Sequence, residues 1–107
     1  MKKGMIKVSV MYPKGDGSHF NMEYYSTKHV QLVGSLLGDA LKGASVENGL
    51  AGGAPGAPAP YMAMGHMFFD TVEDFQTSFG PVADKIMGDL PNFTNVEPEV
   101  QVSEVVI

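Results

Sequence analysis

The sequence of 107 residues contains no cysteine, which excludes disulfide bonds and thiolate metal sites. Small secreted domains usually need such cross-links, so we expect a cytoplasmic protein. No apolar run approaches the roughly 20 residues of a membrane-spanning helix, and we expect no membrane partner. Lysine and arginine number only 7 against 12 acidic residues and form no basic stripe, which argues against a nucleic-acid partner.

The apolar content, by contrast, is sufficient for a globular core, at 44% of the residues. At this length, folding buries only roughly 60 to 70% of the surface of the unfolded chain. We therefore expect a single domain over residues 1–107, which would gain stability by pairing with a second copy.

The first third of the chain predicts a strand and then a helix. Apolar and polar residues alternate over Met5–Tyr12, the period of two that marks a strand. A helix is predicted over Met22–Leu37, with Asn21 as its N-cap and Gly38 as its stop. At 100° per residue, one apolar face holds six side chains: Met22, Tyr25, His29, Leu32, Val33 and Leu36.

The remainder predicts a second helix between strands. A weak edge strand is expected over Leu41–Val46, and a strand with two apolar faces over Tyr61–Phe69. Between them lies a Gly/Ala/Pro loop, residues 49–60, which is either mobile or covers a cavity. A helix should open at Thr71, break at Gly80-Pro81 and close at Gly88, with Val72, Phe75 and Phe79 on its apolar face. The last strand is expected over Val96–Ile107, with a bulge or an exchange of environment where its apolar parity switches.

This β-α-β-β-α-β order predicts an α+β fold with both helices on one face of a four-stranded sheet. The other face would be open, and the strand Tyr61–Phe69 would leave an apolar patch on it. Such patches usually mark interaction surfaces, so we expect a homodimer through the open sheet faces. The alternative is a monomer with an exposed apolar sheet face.

Three side chains are candidate catalytic residues: His29, Tyr25 and His66. Imidazole titrates near neutral pH, so His29 in an apolar pocket would act as a general acid or base. Tyr25 lies one turn earlier and would donate to a substrate oxygen. His66 would approach His29 only if its strand face, shared with Met62 and Met64, looks toward the helices. The alternative is that His29 is a core histidine bonded to a carbonyl.

The sequence gives little support for a role of His19, for a metal site or for a phosphate-binding loop. His19 lies in a Gly/Ser turn, where an exposed histidine is the ordinary outcome. The histidines have no close metal-binding spacing, and Gly15-Asp16-Gly17-Ser18 lacks the lysine of a phosphate loop. We therefore expect no metal ion and no cofactor.

The stretch Tyr24–Val33, YYSTKHVQLV, resembles the YYxxKHxPLV signature of the EthD family, named for ethyl tert-butyl ether degradation. Residues 8–13, 65–70 and 89–94 agree with the family as well. The resemblance implies a ferredoxin-like dimeric α+β barrel, with an antiparallel four-stranded sheet and a pocket for an apolar metabolite. Gln31 stands where the signature has proline, which removes a source of helix distortion two residues after His29.

Three functional hypotheses follow. The leading one is a catabolic enzyme of isomerase, cyclase or monooxygenase type, in which His29, helped by Tyr25 and His66, moves a proton on an apolar small molecule. The second is a non-catalytic accessory or carrier protein that binds a hydrophobic metabolite or partner. The third is a structural dimerisation module, which a pocket at His29 would contradict.

Overall fold

A computed structural model of the chain describes residues 2–107. The sheet has the order β2-β3-β1-β4, and every neighbouring pair is antiparallel. Both helical regions lie between strands that are not neighbours, as in a ferredoxin-like fold. The predicted α+β class and β-α-β-β-α-β order are confirmed. The strands are β1 Ile6–Pro13, β2 Gly43–Asn48, β3 Tyr61–Phe69 and β4 Glu99–Glu104.

Each helical region is built from short segments rather than one regular helix. The first comprises α1 Met22–Tyr24, a π-helical turn Tyr25–His29, α2 Val30–Leu37 and a 3₁₀ turn Gly38–Ala40. The second comprises α3 Val72–Phe79, a 3₁₀ turn Gly80–Val82, α4 Ala83–Gly88 and a 3₁₀ turn Leu90–Asn92. No helix within residues 2–107 has the length and apolarity needed to cross a bilayer.

Side chains from one face of the sheet form the core with the helices. Cross-strand pairing places Val8 and Tyr12 of β1 on the same face as the odd-numbered residues 63–69 of β3. Both side chains are about 1% exposed. One core cluster joins Ile6, Val8, Leu37 and Phe69, and a second joins Tyr12, Tyr25, Ala63 and Phe93.

The first helical region begins and ends where the sequence predicts, but its interior is not a regular α-helix. Asn21 Oδ1 accepts a hydrogen bond from the Tyr24 amide at 3.1 Å, and Gly38 has a positive φ of 60°. Inside, the Val30 amide donates to the Tyr25 carbonyl five residues earlier, which defines a π turn. The turn is distorted although Gln31 replaces the proline, so the expectation of an undistorted helix is wrong.

The π turn changes which side chains reach the core. It uses one residue more than an α-turn, so the apolar face after His29 is displaced by one position. Leu37 is 5% exposed and belongs to the first core cluster, whereas Leu36 remains half-buried. The predicted placement of Leu36 on the buried face is wrong for this reason, while Val33 packs against the core as expected.

Three further predictions need correction. The edge strand β2 begins two residues later than expected and extends to Asn48. Val72 is 42% exposed because it lies in the first turn of α3, directly after the capping residue Thr71. The pairing of β4 with β1 is continuous from Glu99 to Glu104, so the apolar switch marks the end of the strand and not a bulge.

A pair of leucine variants tests the displacement caused by the π turn. Leu37→Ala should lower the free energy of unfolding by about 2–5 kcal/mol, because it opens a cavity in the core. Leu36→Ala is the matched control and should cost clearly less. Chemical denaturation of both variants measures the difference, and a larger loss for Leu36→Ala would mean that the helix is regular.

Candidate functional site

His29 is held in a buried aromatic setting at the end of the π turn. Its side chain is 6% exposed, and its ring stacks on Tyr25 with centroids 5.2 Å apart and planes at 19°. Phe93 approaches the ring with centroids 4.7 Å apart. His29 Nδ1 and Asp89 Oδ2 are 2.9 Å apart. Within residues 2–107, the ring therefore bonds to a carboxylate and not to the backbone carbonyl expected for a core histidine.

Asp89 follows α4 and serves as the common acceptor for three side chains. Tyr24 Oη donates to Oδ1 at 2.7 Å, and Asn92 Nδ2 donates to the same oxygen at 2.9 Å. Burial alone would raise the pKa of Asp89, but the hydrogen bonds from Asn92, His29 and Tyr24 together lower it below its ordinary value. Asp89 is therefore ionised at neutral pH.

The charge of Asp89 fixes the tautomer of neutral His29. An ionised carboxylate only accepts hydrogen bonds, so the proton of the neutral imidazole resides on Nδ1. Nε2 then carries a free lone pair and is the ring nitrogen that remains for a ligand. A carboxylate on one nitrogen and a free base on the other is the arrangement used to orient catalytic histidines.

His29 and Tyr25 border a cavity of about 100 Å³ between the helices and the sheet. Its wall is mostly aliphatic and aromatic, and it extends to Pro98 and Val100 beside the edge strand β4. No residue of the Gly/Ala/Pro loop 49–60 borders it. The predicted pocket beside His29 is therefore present, and the loop does not cover it. Its apolar wall includes Val8, Val10, Val30, Val33, Leu41, Phe75, Phe79, Ile86 and Leu90.

Two tyrosine hydroxyls add donors to this apolar wall. Burial raises the pKa of Tyr25, and its interaction with Tyr12 opposes part of this rise. Burial also raises the pKa of Tyr12 well above its ordinary value. Both hydroxyls therefore stay protonated at neutral pH. Gly65 leaves the space for the Tyr25 hydroxyl, because a Cβ at this position would fall on it and force the tyrosine to shift.

The side chain of His66 lies on the opposite face of the sheet. Its cross-strand partner is Ser9, which alternates with the core residues Val8 and Val10. His66 Nδ1 is 2.8 Å from Ser9 Oγ, and Nε2 is 2.8 Å from Glu47 Oε1. His66 borders the cavity along the strand, but both ring nitrogens are engaged elsewhere. The approach of His66 to His29 that the sequence left open does not occur.

The third histidine and the arrangement of possible metal ligands offer no second site in the part of the chain that the structure describes. His19 is exposed, as expected for a turn residue. Within residues 2–107, no group of three His, Cys, Asp or Glu side chains is arranged to hold a metal ion.

Sequence reasoning missed Asp89, Asn92 and Tyr12 as members of the site. Asp89 lies 60 positions after His29, and no periodicity connects two residues so far apart. The available signal was the stretch Asp89–Thr94, which resembles the EthD family just after the second helical region. It supplies the carboxylate, the amide that holds it, and the Phe93 ring against His29.

Comparison with known proteins agrees with this fold. The EthD domain matches residues 19–97, a range that contains both His29 and Asp89. The chain belongs to the EthD family. An EthD-like protein from Ralstonia eutropha is 42% identical and superposes with a TM-score of 0.92, covering 99% of this chain and 96% of its own. No protein with a curated description matches.

Two more distant structures show the fold alone. A putative antibiotic biosynthesis monooxygenase from Bordetella bronchiseptica is 17% identical, with a TM-score of 0.60 over 98% of this chain and 100% of its own. A dimeric protein of unknown function with a ferredoxin-like fold, from Bacteroides fragilis, is 12% identical, with a TM-score of 0.51 over 97% and 99%. The EthD fold is thus shared with proteins of other descriptions, and fold alone does not give the reaction.

The role of Asp89 is tested by Asp89→Asn, which removes the charge and keeps the shape. The ¹⁵N chemical shifts of the His29 ring should show Nδ1 protonated in the neutral wild-type ring. In the variant the amide can donate to Nδ1, so the proton should move to Nε2. Asn92→Ala is a milder control that removes only one bond to Asp89 and should keep the wild-type tautomer. Identical shifts in wild type and Asp89→Asn would contradict the assignment.

Proposed function

We propose that this EthD protein binds an apolar small molecule in the cavity beside His29 and moves a proton on it. The observation that carries the proposal is the bond of 2.9 Å between His29 Nδ1 and Asp89 Oδ2. It leaves Nε2 available beside an apolar cavity, the arrangement in which a carboxylate orients a catalytic histidine. In line with the resemblance to degradative proteins, the reaction would belong to the breakdown of an apolar metabolite.

The proposed chemistry assigns one step to each group. His29 Nε2 accepts a proton from the bound molecule, and the Asp89 carboxylate stabilises the imidazolium that forms. Tyr25 donates a hydrogen bond to an oxygen of the substrate. The aliphatic wall excludes water, which strengthens these polar interactions while the proton is in transit. Asp89 does not touch the substrate and acts as a positioning residue.

Proton transfer is tested by deuterium uptake from D₂O into a panel of small apolar carbon acids, both neutral and anionic, followed by mass spectrometry. The wild-type protein should accelerate the exchange of at least one compound. His29→Gln should reduce that rate by roughly 10²–10⁴-fold, the usual contribution of a general base. His19→Gln is the matched control, since this histidine is exposed and outside the cavity.

Two results would decide against catalysis. Equal exchange rates in wild type and His29→Gln would remove His29 from any proton transfer. Saturable binding in the cavity without exchange of any compound would favour the non-catalytic carrier role, in which the cavity only holds the metabolite.

We further propose that the open sheet face forms a homodimer with a second copy. This face carries the half-buried Met11 and Met64 around the polar network of Ser9, His66 and Glu47. Apolar side chains on an uncovered sheet face commonly mark an interface. The structural relative from Bacteroides fragilis is described as dimeric, which supports the same assembly here.

Sedimentation of two glutamate variants tests this assembly. Wild type should have twice the mass of one chain. Met64→Glu should give a monomer, because it would place two unpaired charges between the sheets. Leu50→Glu is the control, since this side chain is 89% exposed in the loop, and it should remain a dimer. A monomeric wild type, or a Met64→Glu dimer as stable as wild type, would contradict the proposal.

A further inference from the structure

We infer that the cavity is selective for an uncharged carbonyl compound with an acidic α-hydrogen and that it rejects carboxylates and other anions. The inference rests on the proposed function and narrows it to a substrate class. It follows from the charges around the cavity and from the placement of hydrogen-bond donors and acceptors on its wall.

The described wall of the cavity has no permanently charged cation to pair with an anionic ligand. Among the described residues that border it, none is a lysine or an arginine, and the only basic side chains are those of His29 and His66. Of these two, His66 turns its ring to the other face of the sheet. Anion-binding sites normally supply an arginine, a lysine or a helix N-terminus, and the wall here is aliphatic and aromatic.

The nearest fixed charge has the wrong sign for an anion. Asp89 is ionised and lies directly behind His29, so its field makes the His29 side of the cavity negative. An anionic ligand would lose its hydration, find no counter-ion and be repelled by this carboxylate. A neutral ligand meets none of these costs.

The polar groups on the wall match the hydrogen-bonding groups of one kind of neutral ligand. Tyr25 borders the cavity, and its hydroxyl lies over Gly65, which borders the cavity as well. Because burial keeps this hydroxyl protonated, it can donate to a ligand oxygen. In the neutral tautomer that Asp89 favours, His29 Nε2 accepts hydrogen bonds and carries no proton. A carbonyl oxygen facing Tyr25 and a C–H bond facing Nε2 satisfy both groups at the same time.

The proton-transfer step is balanced without a further reactant. His29 Nε2 takes the α-proton, the C–H electron pair becomes the C=C bond, and the C=O π pair moves onto oxygen. The resulting enolate oxygen is stabilised by the Tyr25 hydroxyl. The imidazolium exchanges its proton with solvent and then delivers a proton to a carbon of the enolate, which gives isotope exchange at the same carbon or an isomer at another.

Acetophenone and benzoate test the charge selectivity, because they have nearly the same shape and differ by one charge. Titration of the ¹⁵N-labelled full chain at pH 7.5 gives the dissociation constant of each and the residues that respond. Acetophenone should perturb cavity residues such as Val33 and bind at least about tenfold more tightly than benzoate. Asp89→Asn should narrow this ratio severalfold, because the repelling charge is gone.

Proton transfer is measured in the same samples as deuterium uptake from D₂O. Wild type should accelerate deuterium uptake into the methyl group of acetophenone, and His29→Gln should abolish the acceleration while still binding the ketone. Benzoate binding in the cavity as tightly as acetophenone would overturn the inference and leave the proposed function standing if exchange persists. Binding of neither compound, or ketone binding without any exchange, would overturn both the inference and the proton-transfer function.

Discussion

The hydrogen bond between His29 and Asp89 joins the two helical regions at the cavity. One partner ends the π turn of the first region, and the other lies between α4 and the 3₁₀ turn Leu90–Asn92 of the second. Because Asp89 also accepts from Tyr24 and Asn92, its carboxylate is fixed on both oxygens. The position of the imidazole, its tautomer and the negative side of the cavity all depend on this one contact.

The π turn and Gly65 make room for the site within the core. The wide turn brings Tyr25 and His29 into a stack over the sheet, where both side chains are about 5% exposed. Gly65 on β3 leaves the space that the Tyr25 hydroxyl occupies. The π turn interrupts the regular α-helical hydrogen bonding, and a glycine within a strand loses more backbone entropy on folding than another residue would. Such departures from regular structure are concentrated where this protein would bind its ligand.

The sequence predicted the elements well because their signals are local. Alternation defined β1 and β3, and capping residues such as Asn21 and Thr71 defined the helix starts. The site was only half predictable, since His29 and Tyr25 lie on one helical face whereas Asp89 comes from a distant turn. The π turn was not predictable, because a helical wheel assumes 100° per residue, and Leu36 was misplaced as a result.

The side on which His66 lies also required the structure, because one apolar strand with two similar faces does not reveal which face meets the helices.

The central claim is that His29 Nε2 and the Tyr25 hydroxyl act together on a neutral ligand in the cavity. A crystal structure of the protein soaked with acetophenone tests it most directly. The account predicts the carbonyl oxygen within hydrogen-bonding reach of Tyr25 and the methyl carbon about 3–3.5 Å from Nε2. A cavity without ligand, or Nε2 bonded to a backbone carbonyl, would contradict it.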